Sequence, residues 1–102
     1  MEPIRISIPE MICQLIQMLH YEVTGYTNLL KSVMADGRYS ADMYERLMKE
    51  YQIKNMEYML ALDEVKNLYM PAQYRTNEYN MTVVFNENAI LIERGSFSKC
   101  QK

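Results

Sequence analysis

Apolar side chains recur at steps of three and four along residues 8–35, and again along residues 41–69. This period places them on one face of an α-helix in each segment. In the first segment that face consists of Ile12, Leu15, Leu19, Val23, Tyr26, Leu30 and Val33. In the second it consists of Tyr44, Leu47, Tyr51, Asn55, Tyr58, Leu62, Val65 and Tyr69. The pattern therefore predicts two helices, each about 40 Å long at the rise of an α-helix.

The segment between these two stretches has the residues of a helix stop followed by a helix start. Gly37 can take the left-handed conformation that ends a helix, and Ser40 is a good N-cap for the next one. At the start of the first helix, Ser7 and Glu10 match the spacing of a capping box. Because only about five residues connect them, the two helices should lie antiparallel as a long helical hairpin.

Strand patterns flank this hairpin at both ends of the chain. Residues 4–8 alternate apolar and polar, while residues 78–85 and 89–94 surround the turn Asn86-Glu87-Asn88, in which an asparagine can adopt a left-handed conformation. The first strand can add to this C-terminal β-hairpin. The order β-α-α-β-β thus predicts an α+β fold with a small three-stranded antiparallel sheet, as one domain over residues 1–95 followed by a flexible tail over residues 96–102.

Both layers of this fold leave apolar surface uncovered. The second helix carries another apolar row, Ile53, Met56 and Leu60, flanked by Met43, Met48 and Met59. The strands carry consecutive apolar residues, which indicates a sheet that is apolar on both faces. A second copy of the chain would cover both surfaces, so we expect a homodimer. A larger, different protein is the alternative cover.

Charge and composition exclude several classes of protein. With 13 acidic and 11 basic residues, and no basic cluster beyond the last few residues, the chain lacks the footprint of a nucleic-acid-binding protein. No apolar run approaches the roughly 20 residues of a membrane span, and no signal peptide is evident. Cys13 and Cys100 form no disulfide framework. We therefore expect a cytoplasmic protein that does not bind a membrane.

Candidate catalytic and ligand-binding residues are few. Cys13 and His20 are seven residues apart on one helix, which is about 10 Å and too far for a nucleophile and its base. The carboxylates of the helices lack the Glu-x-x-His pairs of di-iron bundles. Three widely separated glycines form no phosphate-binding loop. We expect no enzymatic activity, no metal and no cofactor, and the roles of Cys13, His20 and Cys100 stay open.

Ten methionines and nine tyrosines fit, in the first place, a core packed with methionine. They also fit an adaptable contact surface, because methionine repacks easily and tyrosine combines an apolar ring with a polar tip. The sequence thus predicts a non-enzymatic protein–protein interaction module: an adaptor, a subunit or a small inhibitor of a larger protein, for instance of bacterial or phage origin. The candidate interaction residues are Arg46, Met48, Met56, Met59 and Phe85. Two alternatives remain: a small-ligand protein with a pocket between helices and sheet, and a DNA-binding regulator with the β-hairpin as a wing.

Overall fold

The computed structural model describes residues 2–37 and 40–95, and it confirms the predicted α+β fold and element order. The elements are β1 (Ile4–Ser7), α1 (Glu10–Asp36), α2 (Ala41–Tyr69), β2 (Tyr79–Val84) and β3 (Ala89–Arg94). Short 3-10 turns precede and follow β2, at Ala72–Tyr74 and Phe85–Glu87. The predicted tail, Cys100 and two residues of the connection between the helices lie outside the described residues.

The predicted conformations at the turns are largely confirmed. Gly37 and Asn88 both have positive φ, at 70° and 49°. Ser40 caps α2 as expected, since its hydroxyl oxygen accepts a hydrogen bond from the Met43 N–H at 3.2 Å. Each of these residues sets the backbone conformation at or next to its own position, so its effect can be predicted from sequence alone.

The predicted start of α1 is wrong by two residues. Ser7 is the last residue of β1, where it pairs with Ala89, and it does not cap the helix. The next residue, Ile8, donates its N–H to the Asn88 carbonyl at 2.9 Å. The helix begins at Glu10, and the Cys13 N–H bonds to the Pro9 carbonyl. Because the backbone of Ser7 and Ile8 pairs with residues of the C-terminal β-hairpin, it is not available for the predicted capping box.

The chain forms two compact units whose boundaries fall within both long helices. The sheet unit comprises Met1–Leu15 and Leu62–Lys102, and the helix-pair unit comprises Ile16–Ala61. The sheet unit therefore contains all three strands, the start of α1 and the end of α2. That residues 1–95 form one domain stays a prediction.

In the sheet unit, β3 is the central strand and pairs antiparallel with β1 and β2. Ile90 faces Ile6 on one side and Val83 on the other, and the side chains of such paired residues lie on one face of the sheet. Ile90 and Ile92 are fully buried on this face. Each end of the chain therefore supplies an edge strand that the central strand needs.

The second face of the sheet corrects an expectation. We predicted an apolar surface there, but the register surrounds Leu91 mainly with polar side chains, namely Arg5, Ser7, Asn80, Thr82 and Glu93. Val84 is the other large apolar residue on this face and is half-buried. Consecutive apolar residues occur in β3, but the strands beside it place polar residues around them. The sheet therefore resembles the usual one-sided antiparallel sheet.

The start of α1 packs into the core of the sheet unit through Cys13. Its side chain is 1% exposed, and its thiol donates a weak hydrogen bond to the Phe85 carbonyl, with Sγ and O 3.5 Å apart. Burial, and secondarily the charge of Glu10, raises the pKa of this thiol, so it stays a neutral donor. Cys13 is thus a packing residue.

This packing shifts the buried face of α1. Leu15, which we predicted on the inner stripe, is 46% exposed, whereas Cys13 and Ile16 are each 1% exposed. Four apolar residues occur among positions 12–16, so the helical period alone fits either face. Further along the helix the predicted Leu19, Leu30 and Val33 are buried as expected.

The pairing of β1 yields a test of how the sheet unit is closed. Deleting residues 1–6 removes Ile4, Ile6 and most of an edge strand, and should lower the free energy of unfolding by about 2 kcal/mol or more. Arg5→Ala removes the exposed ion pair with Glu87, whose atoms are 2.8 Å apart, and should cost less than about 1 kcal/mol. Urea denaturation followed by circular dichroism measures both. Equal stability of the deletion variant and the parent would show that β1 contributes nothing.

Candidate interaction surface

Three polar contacts join α1 to α2 in the helix-pair unit. His20 Nδ1 lies 3.3 Å from the Tyr58 hydroxyl, Glu22 pairs with Lys54 at 3.0 Å, and the Tyr26 hydroxyl donates to Glu50 at 3.0 Å. Their order runs in opposite directions along the two helices, which is the predicted antiparallel arrangement. The hairpin is thus held in part by hydrogen bonds and an ion pair.

The electrostatics of this side centre on Lys54. Its ammonium lies 3.0 Å from Glu22 and 3.5 Å from Glu57, and the bond to Glu22 is the main cause that raises the pKa of Lys54. The bond from Tyr26 to Glu50 likewise raises the pKa of Tyr26. In each bond the donor, the Lys54 ammonium or the Tyr26 hydroxyl, is protonated. Lys54, Glu22 and Glu50 are therefore engaged by contacts within the helix-pair unit.

Apolar burial in the helix-pair unit is one-sided. Among the described residues of this unit, the buried side chains are Ile16, Leu19, Leu30 and Val33, and all four belong to α1. Among residues 41–61 of α2, none is buried. Large apolar side chains of the same segment are exposed instead: Ile53 is 60% exposed, Met56 58%, Met59 57% and Leu60 59%. Within its own unit, α2 leaves most of its apolar surface open to solvent.

Two rows of side chains on α2 border a groove, which we name the outer α2 groove. Lys49, Gln52, Ile53, Met56 and Glu57 line it, and its volume is about 520 Å³. Residues four apart form ridges on a helix surface. Lys49, Ile53 and Glu57 form one such ridge, while Gln52, Met56 and Leu60 form the next. The groove therefore has an apolar floor and a basic and an acidic end.

The five predicted interaction residues belong to both units, four to the helix-pair unit and Phe85 to the sheet unit. On α2, Arg46, Met56 and Met59 are exposed, and Met48 is half-buried. Met56 lines the outer α2 groove, and Arg46 lines another groove near the start of α2, with Ser40, Asp42, Met43, Leu47 and Glu50. Phe85 is half-buried in the sheet unit. Whether these residues bind a partner stays a prediction.

Sequence reasoning placed Ile53 and Leu60 in a row that needs cover, but did not name them as interaction residues. Both are as exposed as Met56. The four tyrosines that we predicted on the inner stripe of α2 are half-buried: Tyr44, Tyr51, Tyr58 and Tyr69. The exposed part of α2 is mainly methionine and aliphatic.

A second groove, on the α1 side, was missed. Tyr21, Glu22, Gly25, Tyr26, Leu29 and Lys54 line it, and its volume is about 380 Å³. No atom lies within 4 Å of the position that a Cβ on Gly25 would occupy. A side chain at this position would therefore project into open space beside the groove. A glycine within a helix lowers the stability of that helix by about 1 kcal/mol relative to alanine. The glycine within α1 was therefore the feature of the sequence that could have indicated this groove.

Over residues 2–37 and 40–95, no three His, Cys, Asp or Glu side chains are placed to hold a metal ion. None of the helices in the same residues is apolar over a length that could cross a membrane.

The half-buried Tyr58 predicts how stability changes at alkaline pH. Burial raises the pKa of Tyr58, whereas in the unfolded chain a tyrosine ionises near pH 10. Above about pH 10 the unfolded state has lost a proton that the folded state keeps, so the free energy of unfolding falls as pH rises. Tyr58→Phe should make this fall shallower in urea denaturation between pH 8 and 11. Equal slopes for Tyr58→Phe and the parent would contradict the assignment.

Comparisons of this chain with protein-family models, with curated proteins and with solved structures found no match. No relative therefore indicates which residues act. Function is inferred below from the exposure, charge and contacts of the described residues.

Proposed function

We propose that this protein is a non-enzymatic protein–protein interaction module that acts through the outward side of α2. The observation that supports this is the one-sided burial of the helix-pair unit. Residues 41–61 bury none of their side chains, yet four of their large apolar residues are 57–60% exposed. Contiguous exposed apolar surface marks an interaction site in soluble proteins.

The proposed role is that of an adaptor, a subunit or a small inhibitor of a larger protein, in the cytoplasm of a bacterium or a phage-infected cell. The chain would act as a homodimer or bind a different protein through the same helix. Methionine at this surface suits such a role, because its flexible side chain adapts to the shape of a partner. The charged ends of the outer α2 groove, Lys49 and Glu57, would orient the partner.

The observations give less support to the two alternatives. The grooves of the helix-pair unit lie open on the surface of the helices, whereas small-ligand sites bury most of the ligand. The formal net charge of −2 gives no electrostatic attraction to DNA. Both alternatives stay predictions.

Comparing two double variants tests the proposed function. Met56→Ser/Met59→Ser removes exposed apolar side chains from α2, whereas Met11→Ser/Met34→Ser removes two methionines from α1 that are still more exposed. The immobilised chain is incubated with a lysate of its source, and each retained protein is purified and titrated directly. The α2 variant should lose about 1 kcal/mol or more of binding free energy for each truncated residue that contributes, and the α1 variant should bind like the parent.

Circular dichroism should show that both variants remain folded, since the substituted side chains are exposed. Equal affinity of the α2 variant and the parent would contradict the proposal. So would the absence of any directly binding protein for a chain that is also monomeric at high concentration.

A further inference from the structure

We propose that the outer α2 groove binds a second copy of this chain, with the two α2 helices packed antiparallel about a twofold axis beside Ile53, midway between the ridge Lys49–Ile53–Glu57 and the groove. This inference rests on the proposed function and names the partner and the arrangement. Its basis is that the groove and the ridge beside it are complementary to themselves, in both shape and charge.

The shape argument follows from the ridges of α2. The commonest class of helix packing places the ridges formed by residues four apart on one helix into the matching grooves of another, at a crossing angle of about −50°. The ridge Lys49–Ile53–Glu57 stands directly beside the groove bounded by Gln52 and Met56. A second copy therefore offers a ridge for the groove of the first, and receives the ridge of the first in its own.

The charge argument fixes the direction of the second copy. Along the ridge, a basic side chain and an acidic side chain stand at equal distances on either side of Ile53. When the second ridge runs antiparallel, Lys49 of each copy lies beside Glu57 of the other. A parallel arrangement would bring like charges together. Glu57 can serve in this pair, because its side chain is 50% exposed and Lys54, 3.5 Å away, lies closer to Glu22.

These features favour a second copy over an unrelated protein. A twofold interface uses the same patch on both subunits, so each favourable contact is made twice. Here one patch contains the apolar centre and both charges that such an interface requires. The apolar residues that would be covered, Ile53, Met56 and Leu60, are 58–60% exposed.

Charge reversal tests the arrangement directly. Sedimentation equilibrium at micromolar concentration should show a dimer for the parent chain. Lys49→Glu and Glu57→Lys should each raise the dimer dissociation constant at least tenfold, because each places like charges together in both pairs. An equimolar mixture of the two variants should form a heterodimer with near-parental affinity, because both of its pairs then have opposite charges.

Ile53→Asp should give a monomer, whereas Met34→Asp on α1 should leave the dimer intact; both substituted residues are exposed, so both variants should fold. A monomeric parent, or an undiminished Ile53→Asp dimer, would overturn the inference. Failure of the mixture to recover affinity would overturn the antiparallel arrangement. None of these results would remove the proposed function, which fails only if Met56→Ser/Met59→Ser leaves binding unchanged or if the chain binds no protein at all.

Discussion

A central β-strand must find hydrogen-bond partners along both of its edges, and β3 finds them in β1 and β2. This constraint governs the sheet unit. Pairing with β3 keeps Ser7 extended and engages the Ile8 N–H, so α1 begins only at Glu10. The face of α1 that carries Cys13 then packs into the core, and Leu15 is left exposed. Within the sheet unit, the start of α1 thus buries the face that carries Cys13.

The helix-pair unit is stabilised differently. Polar contacts tie α2 to α1 through Tyr58, Lys54 and Glu50, and the buried apolar side chains come from α1 alone. These polar contacts attach α2 to α1 without burying the apolar side chains of α2. Those apolar side chains can therefore face outward. Hydrogen bonds and ion pairs are also directional, so they fix the rotation of α2 about its axis more closely than apolar contact would. That fixed rotation gives the outer α2 groove a definite shape.

Sequence predicted the parts of this fold that depend on local patterns. The helical period gave both long helices, and Gly37, Ser40 and Asn88 marked the turns that the structure shows. It failed where distant contacts decide. Cys13 and Leu15 both fit a helical stripe, and only the contact of Cys13 with Phe85 selects between them. For the candidate surface, the sequence showed the row of Ile53, Met56 and Leu60. It could not show that the rest of the helix-pair unit leaves this row exposed.

The edge strands of the sheet carry charged or polar side chains at exposed positions, whereas the exposed row on α2 is apolar. Both edge strands are short, and unpaired strand edges recruit other chains unless charges or polar residues obstruct them. On β1, Arg5 pairs with Glu87, and on β2 the exposed positions are Asn80 and Thr82. On α2, by contrast, the exposed positions Ile53, Met56 and Leu60 are apolar, and charged side chains stand only at the ends of the outer α2 groove. The polar residues of the sheet edges thus contrast with the open apolar row of α2, which is the surface on which the proposed function rests.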